Sequence, residues 1–396
     1  MINIYDYFSL NRILLLAIGL WPYQKSKFAQ FYSICCFSIL ITCIIFQFST
    51  FVTSKCTVDL VIQILSPTSA FTGVVIMYNS FYINNETLKS LMEQLQHIYG
   101  NLRNNNEIAI VERYGNYAKR YTAALTMVAI IFVTLFVIGV QLWFNFRDVI
   151  ISTKESQPRH LILRIEYFVN EEKYFYLLQL HMNAAICIIT ITLVSTKTMF
   201  ITFFQLVCAM FQIASYRIEQ AIQIYTVRGI IQLNENMIYK RIVCAVDIHR
   251  KAIMFSEHLI SRFERTFLLL IICGVVSLSL NIYCTFQNMS WKYAIDFAFS
   301  LILACSTILY MFLANLIGQQ IIDHNNHVFM TAYKIQWYLT PIRIQKMILF
   351  LLQRGNKVFG LSIGGLFMGS MEYFATCRFY YINDSHADFV KKDIII

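Results

Sequence analysis

Charge is what this 396-residue sequence has least of: Asp, Glu, Lys and Arg make up 14% of it, where a soluble domain carries about 25%. A chain so poor in charge cannot clothe a water-facing surface of this size. Proline is scarce at 4 and glycine at 13, which excludes a turn-rich fold and leaves long helices. The 11 cysteines make no disulfide framework. Most of them (Cys35, Cys36, Cys43, Cys187, Cys208, Cys273, Cys305) stand inside apolar runs, where a thiol behaves as a small hydrophobe. Acidic residues number 22 against 32 basic, a net charge of +10. Nucleic acid is not the implied partner. The basic residues are spread through the gaps between apolar runs, as in a membrane protein facing anionic lipid.

What is present is a series of apolar runs long enough to cross a bilayer, which takes about 20 residues. Charge-free stretches cover 31–53, 60–83, 121–146, 174–196, 266–291 and 297–322; a seventh, 358 to about 381, is interrupted by Glu372 and Arg378. The sequence thus predicts an all-α membrane protein with seven transmembrane helices. Residues 1–30 hold Arg12, a short apolar run at 13–20 and Trp21-Pro22-Tyr23. That resembles a signal peptide in shape, but no small-residue cleavage site follows and the run is too short to span. It reads as a cytoplasmic segment, re-entrant or surface-lying.

Orientation follows from lysine and arginine. The gaps on the side of the N-terminus carry 21 of them and the opposite gaps 10, so the N-terminus lies in the cytoplasm and the C-terminus outside. The sequon at Asn85 then falls inside, and those at Asn288 and Asn383 outside.

The fourth run does not stop at the membrane. From residue 174 the chain stays apolar to Tyr216 with Lys197 its one charge, which places Lys197 at the inner boundary, free to snorkel. Residues 199–214 continue below and need protein cover. Residues 217–265 supply it as amphipathic helix, with Ile218, Ile222, Ile242, Ala245, Ile248, His249, Ala252, Phe255, Leu259 and Phe263 on the apolar side. The expected organisation is 1–30; spans one to four in 31–216; a cytoplasmic helical anchor base in 217–265; spans five and six in 266–322; the cytoplasmic part of the seventh helix in 323–357; the seventh span in 358–382; and a polar tail, 383–396. Residues 318–340 read as a solvated polar connector. Pro341 then opens an amphipathic helix with Ile344, Met347, Ile348, Leu351 and Leu352 on one face, and the spacings Gly360/Gly364 and Gly365/Gly369 suit close packing of the seventh span.

The chain resembles the insect odorant receptors along most of its length. The likeness rests on Asn11-Arg12 and Ile18-Gly19-Leu20-Trp21-Pro22-Tyr23-Gln24, which resembles receptors of ants, bees and wasps, and on Asp247-Ile248-His249-Arg250 to Phe255. It also rests on Gly318-Gln319-Gln320-Ile321-Ile322-Asp323-His324, Ala332-Tyr333, Trp337-Tyr338 and Ser370-Met371-Glu372-Tyr373-Phe374-Ala375-Thr376. The resemblance implies a tuning subunit of an odorant-gated cation channel in olfactory neurons, assembled with a shared co-receptor in a heterotetramer. The co-receptor's longer cytoplasmic insertion is absent. It also implies a ligand pocket between spans two, three, four and six in their outer halves, offering Ser69, Phe71, Ile138, Gln141, Trp143, Tyr176, His181, Met182, Phe297 and Phe299 to a small volatile. The pore face it implies is Met371, Ala375, Arg378 and Ile382, with Glu372 adjacent. After Thr376 the sequence departs from the family: Cys377-Arg378-Phe379-Tyr380-Tyr381-Ile382 leads into a polar tail, which reads as an altered final exon.

Other classes find less support. A gustatory-type homomeric channel of the same superfamily is the alternative, distinguished by gating without a co-receptor. A G-protein-coupled receptor needs the opposite topology. Glu112-Arg113-Tyr114 precedes the third span instead of closing it. Gly360-Leu361-Ser362-Ile363-Gly364 has the GxSxG spacing without a preceding strand or acid–base partners. His324 and His327 have no carboxylate or cysteine cluster to complete a metal site. No enzyme activity and no cofactor is expected.

Overall fold

The computed structural model describes residues 2–24, 26–150, 165–227, 235–287, 294–355, 359–360, 362–364 and 367–372, with backbone alone at 140–150, 171–172, 223–227, 294–296 and 367–368. A 3-10 turn, Ile4–Phe8, leads into α1 (Ser9–Leu16). Then come α2 (Lys27–Thr53), α3 (Val58–Ile83), α4 (Asn85–Gly100), α5 (Asn105–Ile150), α6 (Glu171–Val227), α7 (Glu235–Gln287), α8 (Ala294–Lys334) and α9 (Ile342–Gly355). A hairpin of β1 (Ser362–Ile363) and β2 (Phe367–Met368) follows. Among the described residues, α2, α3, α5, α6, α7 and α8 are long and apolar enough to cross a membrane.

The helices begin and hold as hydrocarbon demands. The Ser26 hydroxyl accepts from the Phe28 N–H at 3.3 Å and caps α2; Thr57 accepts from the Leu60 N–H at 3.3 Å and caps α3. Within the spans, hydroxyls have no water to bond. They donate to the carbonyl four residues back, as Ser38 does to Ile34 (2.8 Å) and Thr190 to Ile186 (2.8 Å).

α6 is the axis of the molecule. Its 57 residues run about 85 Å at 1.5 Å per residue, far more than the hydrocarbon thickness of about 30 Å. Its lower half is buried all round: Met199, Phe203, Leu206, Met210, Phe211 and Ala214 are fully enclosed. Phe8 packs on Phe203 from the N-terminal turn, with ring centroids 5.3 Å apart. Phe255 of α7 closes on the same ring at 6.0 Å. The Tyr99 hydroxyl of α4 donates to the Leu206 carbonyl. α4 itself is amphipathic, burying Leu88, Leu91, Met92, Leu95 and Tyr99. α7 and α8 also descend well past the membrane, so spans and base share continuous helices.

Four expectations change. The N-terminal segment does not lie on a surface: Ile4, Phe8, Leu15 and Ile18 are buried against the rest of the protein. Asn11 donates to the Thr198 hydroxyl of α6 at 2.9 Å, because the apolar run is short enough to fill a side of α6 and no more. The connector at 318–340 is only partly solvated. α8 continues to Lys334; Asp323, Asn326 and Lys334 stay exposed, while His324, Asn325 and His327 take partners on three helices. Lys197 does not snorkel outward; its amine rests 3.6 Å above the Tyr310 ring of α8. Finally, Ser362–Ile363 and Phe367–Met368 are not part of an apolar helix but pair as the hairpin, in which Ser362 faces Met368 and Ile363 faces Phe367. Gly364 turns it at φ +63°, a conformation other residues rarely adopt, and so many glycines in one stretch weaken helix.

Asn85 opens α4 with its side-chain oxygen enclosed. Its sequon is therefore expected to stay bare, so endoglycosidase treatment shifts no band that is lost in Asn85→Gln.

Candidate ligand site

The outer half of the bundle gathers polar side chains that membrane depth makes expensive unless they serve a purpose. His181 of α6 is the centre. Its Nε2 lies 3.2 Å from the Thr42 hydroxyl of α2 and its Nδ1 2.9 Å from the Tyr167 hydroxyl. Thr42 already gives its proton to the Ser38 carbonyl at 2.9 Å. It therefore accepts from Nε2–H, and the Tyr167 hydroxyl pairs with Nδ1, so both ring nitrogens are engaged. Phe46 stacks against Tyr167 at 4.7 Å. The chain before α6 is stitched to α2 by the Glu166 N–H on the Phe46 carbonyl (3.1 Å) and by the Thr53 hydroxyl on Glu166 Oε2 (3.1 Å). Tyr167→Phe leaves Nδ1 half-buried and unpaired. The expected loss is about 1 kcal/mol of stability, read by thermal unfolding of the purified protein; an unchanged midpoint refutes the assignment.

Deeper in the same layer, Thr68 of α3 donates to Gln47 Oε1 at 2.7 Å, and Ser66 donates to Asn281 Oδ1 of α7 at 2.8 Å. Gln47 Nε2 and Gln179 Oε1 are buried with no protein partner among the described residues. Two aromatic rings, Phe136 of α5 and Phe299 of α8, meet at 5.9 Å.

Of the residues expected in the pocket, the structure brings His181 into the Thr42–Tyr167 cluster and Phe299 against Phe136. Met182 and Phe71 are core residues, and Ser69 is half-buried with its hydroxyl on the Ser66 carbonyl at 2.9 Å. Phe297 is half-buried. Ile138 and Tyr176 are open, at 51% and 70% exposure. The side chains of Gln141 and Trp143 lie outside the described residues. So do Ala375, Arg378 and Ile382 of the expected pore face, whereas Met371 is half-buried and Glu372 exposed. Thr42, Phe46, Gln47, Tyr167 and Asn281 were missed. The signal in the sequence is a hydrogen-bonding side chain within an apolar run, and it is there for Thr42, Gln47 and Asn281.

Below the membrane the lower part of α8 is fastened to three helices. His324 bonds the Tyr114 hydroxyl of α5 at 2.6 Å, His327 the Ser215 hydroxyl of α6 at 3.2 Å, and His249 of α7 holds Asn325 at 2.9 Å. Burial pushes His249 and His324 below the usual histidine value. A folded-state pKa lowered this way favours the neutral ring. The stability it contributes is complete above about pH 6.5, the unfolded value, and is lost as the unfolded chain takes up protons below it. The unfolding midpoint is expected to fall between pH 7.5 and 5.5. His249→Gln, which keeps a hydrogen-bonding group without a titration, is expected to flatten that slope.

Among the described residues no group of three His, Cys, Asp or Glu side chains is placed to hold a metal. The family model described as 7tm Odorant receptor matches residues 57–381. No curated protein matches the chain. The structure of the insect olfactory receptor OR5 from Machilis hrabei superposes with a TM-score of 0.75 at 15% identity, covering 96% of each chain. The same receptor in complex with eugenol gives 0.74 at 16%, again over 96% of each chain. At such identity the likeness is one of fold.

Proposed function

This chain belongs to the 7tm odorant receptor family, and from that premise we propose that it is the tuning subunit of an odorant-gated, non-selective cation channel. As a member of that family it is a multi-pass membrane receptor and not an enzyme. We place it in the plasma membrane of olfactory neuron dendrites, in a heterotetramer with a shared co-receptor. Its ligand is a small volatile molecule held in the outer halves of α3, α5, α6 and α8. The relative of like fold that was solved with eugenol supports this choice of ligand class.

What supports the reading is a pair of features in the apolar outer half: the polar cluster of His181 with Thr42 and Tyr167, and the Phe136–Phe299 ring pair between α5 and α8. Apolar walls with a few fixed polar groups suit a ligand held by dispersion and desolvation and oriented by one or two hydrogen bonds. Ligand that binds the open form more tightly shifts a closed–open equilibrium by that difference in affinity. Met371, Glu372, Ala375, Arg378 and Ile382 are the residues we assign to the pore face. Whole-cell current in cells expressing this chain with and without the co-receptor, across an odorant panel, tests the proposal. Current only in the presence of the co-receptor is the expected result. Odorant-evoked current from this chain alone refutes the tuning role.

A further inference from the structure

Three residues on one face of α8, spaced at three and four from Asn315, hold the chain at residues 369–371, where the proposed pore face begins. Asn315 Oδ1 accepts from the Ser370 N–H at 3.2 Å, and Gln319 Oε1 accepts from the Met371 N–H at 3.3 Å. Between them Gly318 lies directly against the Gly369 backbone, where any Cβ would collide with the Gly369 carbonyl oxygen. The two amides are oriented for the task. Asn315 Nδ2 is spent on the Met311 carbonyl (2.9 Å) and Gln319 Nε2 on Asp323 (2.8 Å), so both carbonyl oxygens face the bound strand. Residues 371 and 372 are helical, and the first N–H groups of a helix have no acceptor of their own. Here α8 provides them.

We propose that Asn315, Gly318 and Gln319 form the latch through which α8 moves the pore segment, with Asn315 and Gln319 as positioning residues. This rests on the channel reading above. α8 carries Phe299 in the candidate ligand layer, and the 16 residues from there to Asn315 span about 24 Å of one rigid helix. A displacement of the outer half therefore arrives at 370–371 without passing through a loop. Two backbone N–H bonds and a side-chain-free contact transmit it, because neither strand nor helix can slip along the other while both amides are engaged.

The test is the variant Asn315→Leu with Gln319→Leu, expressed with the co-receptor and compared at equal surface density. Its maximal odorant current is expected to fall about tenfold, the equivalent of one to two neutral hydrogen bonds. The odorant that best activates the wild type should still raise the unfolding midpoint of the purified variant, since binding is upstream of the latch. Asn315→Cys with Ser370→Cys supplies the second measurement. The pair should cross-link with copper–phenanthroline. In a Gln319→Leu background the cross-link should restore current that reductant removes, while Asn315→Cys alone ignores both reagents. Wild-type current from the double leucine variant, or a cysteine pair that fails to cross-link, overturns the latch. A wild type silent with the co-receptor despite surface expression sinks the channel reading and the transmission role together. An active wild type with an unaffected leucine variant sinks the latch alone.

Discussion

Arg217→Ala is expected to cost the receptor about 3 kcal/mol of stability and most of its surface expression. Arg217 Nε and Nη2 donate to the two oxygens of Glu107 at 2.7 and 2.8 Å, and Nη1 donates to the Cys244 carbonyl at 3.1 Å. One guanidinium thus ties α6 to α5 and α7 at the bottom of the base. The pair is well shielded, with side-chain exposures of 23% for Arg217 and 8% for Glu107, so solvent screens it little. The hydrogen bond to Glu107 holds the guanidinium still more firmly protonated than usual. Glu107 also sits in the first turn of α5, where the helix dipole favours negative charge. Removing the arginine leaves that carboxylate enclosed without a partner, which is the expensive part. The double change Arg217→Met with Glu107→Leu, which removes both charges, is expected to recover most of the loss. Thermal unfolding in detergent separates the outcomes. Equal damage from the single and double changes would show that packing, not the stranded charge, carries the cost.

Phe211→Ala should be as damaging, at about 4 kcal/mol. The ring is fully enclosed at the heart of the base, 5.5 Å from the His249 ring and 6.0 Å from Phe359. It joins α6, α7 and the stretch that leads to the hairpin, so a cavity there loosens three elements at once. Phe136→Ala is the contrast. That ring is half-buried in the outer layer with Phe299 and Phe132 for neighbours, and its loss is expected to cost about 1 kcal/mol while changing odorant potency. A Phe136→Ala midpoint as low as that of Phe211→Ala would mean that the outer layer, not the base, holds the fold together.

The membrane architecture was legible in the sequence because each of its causes is local. A run of about 20 apolar residues must be helix in hydrocarbon, whatever its neighbours are. The run boundaries at Thr53 and Ile83 coincide with the observed ends of α2 and α3. The unbroken apolar continuation past Lys197 pointed to a buried helix below the membrane, since such a surface cannot stand in water. The site was less legible. His181 and Phe299 follow from the resemblance, but Tyr167 stands outside any span and finds His181 only because the chain before α6 folds back onto α2.

By itself, then, the sequence determined the class of the protein, most of its helices and the existence of a base. All of these depend on the solvent each segment meets and on charge counted along the chain. The tertiary structure alone decided which partners the polar residues take. His324 and His327 look like part of a solvated connector until α5 and α6 supply their partners, and nothing along the chain says that His249, on the apolar face of α7, takes Asn325. Residues 362–371 look like helix by hydropathy, yet Glu264 receives the Gly364 N–H at 2.9 Å, and Asn315 and Gln319 receive those of Ser370 and Met371. The acceptors lie 52 to 100 residues away in the chain. No local pattern encodes that distance; only the packing of α7 and α8 brings them there.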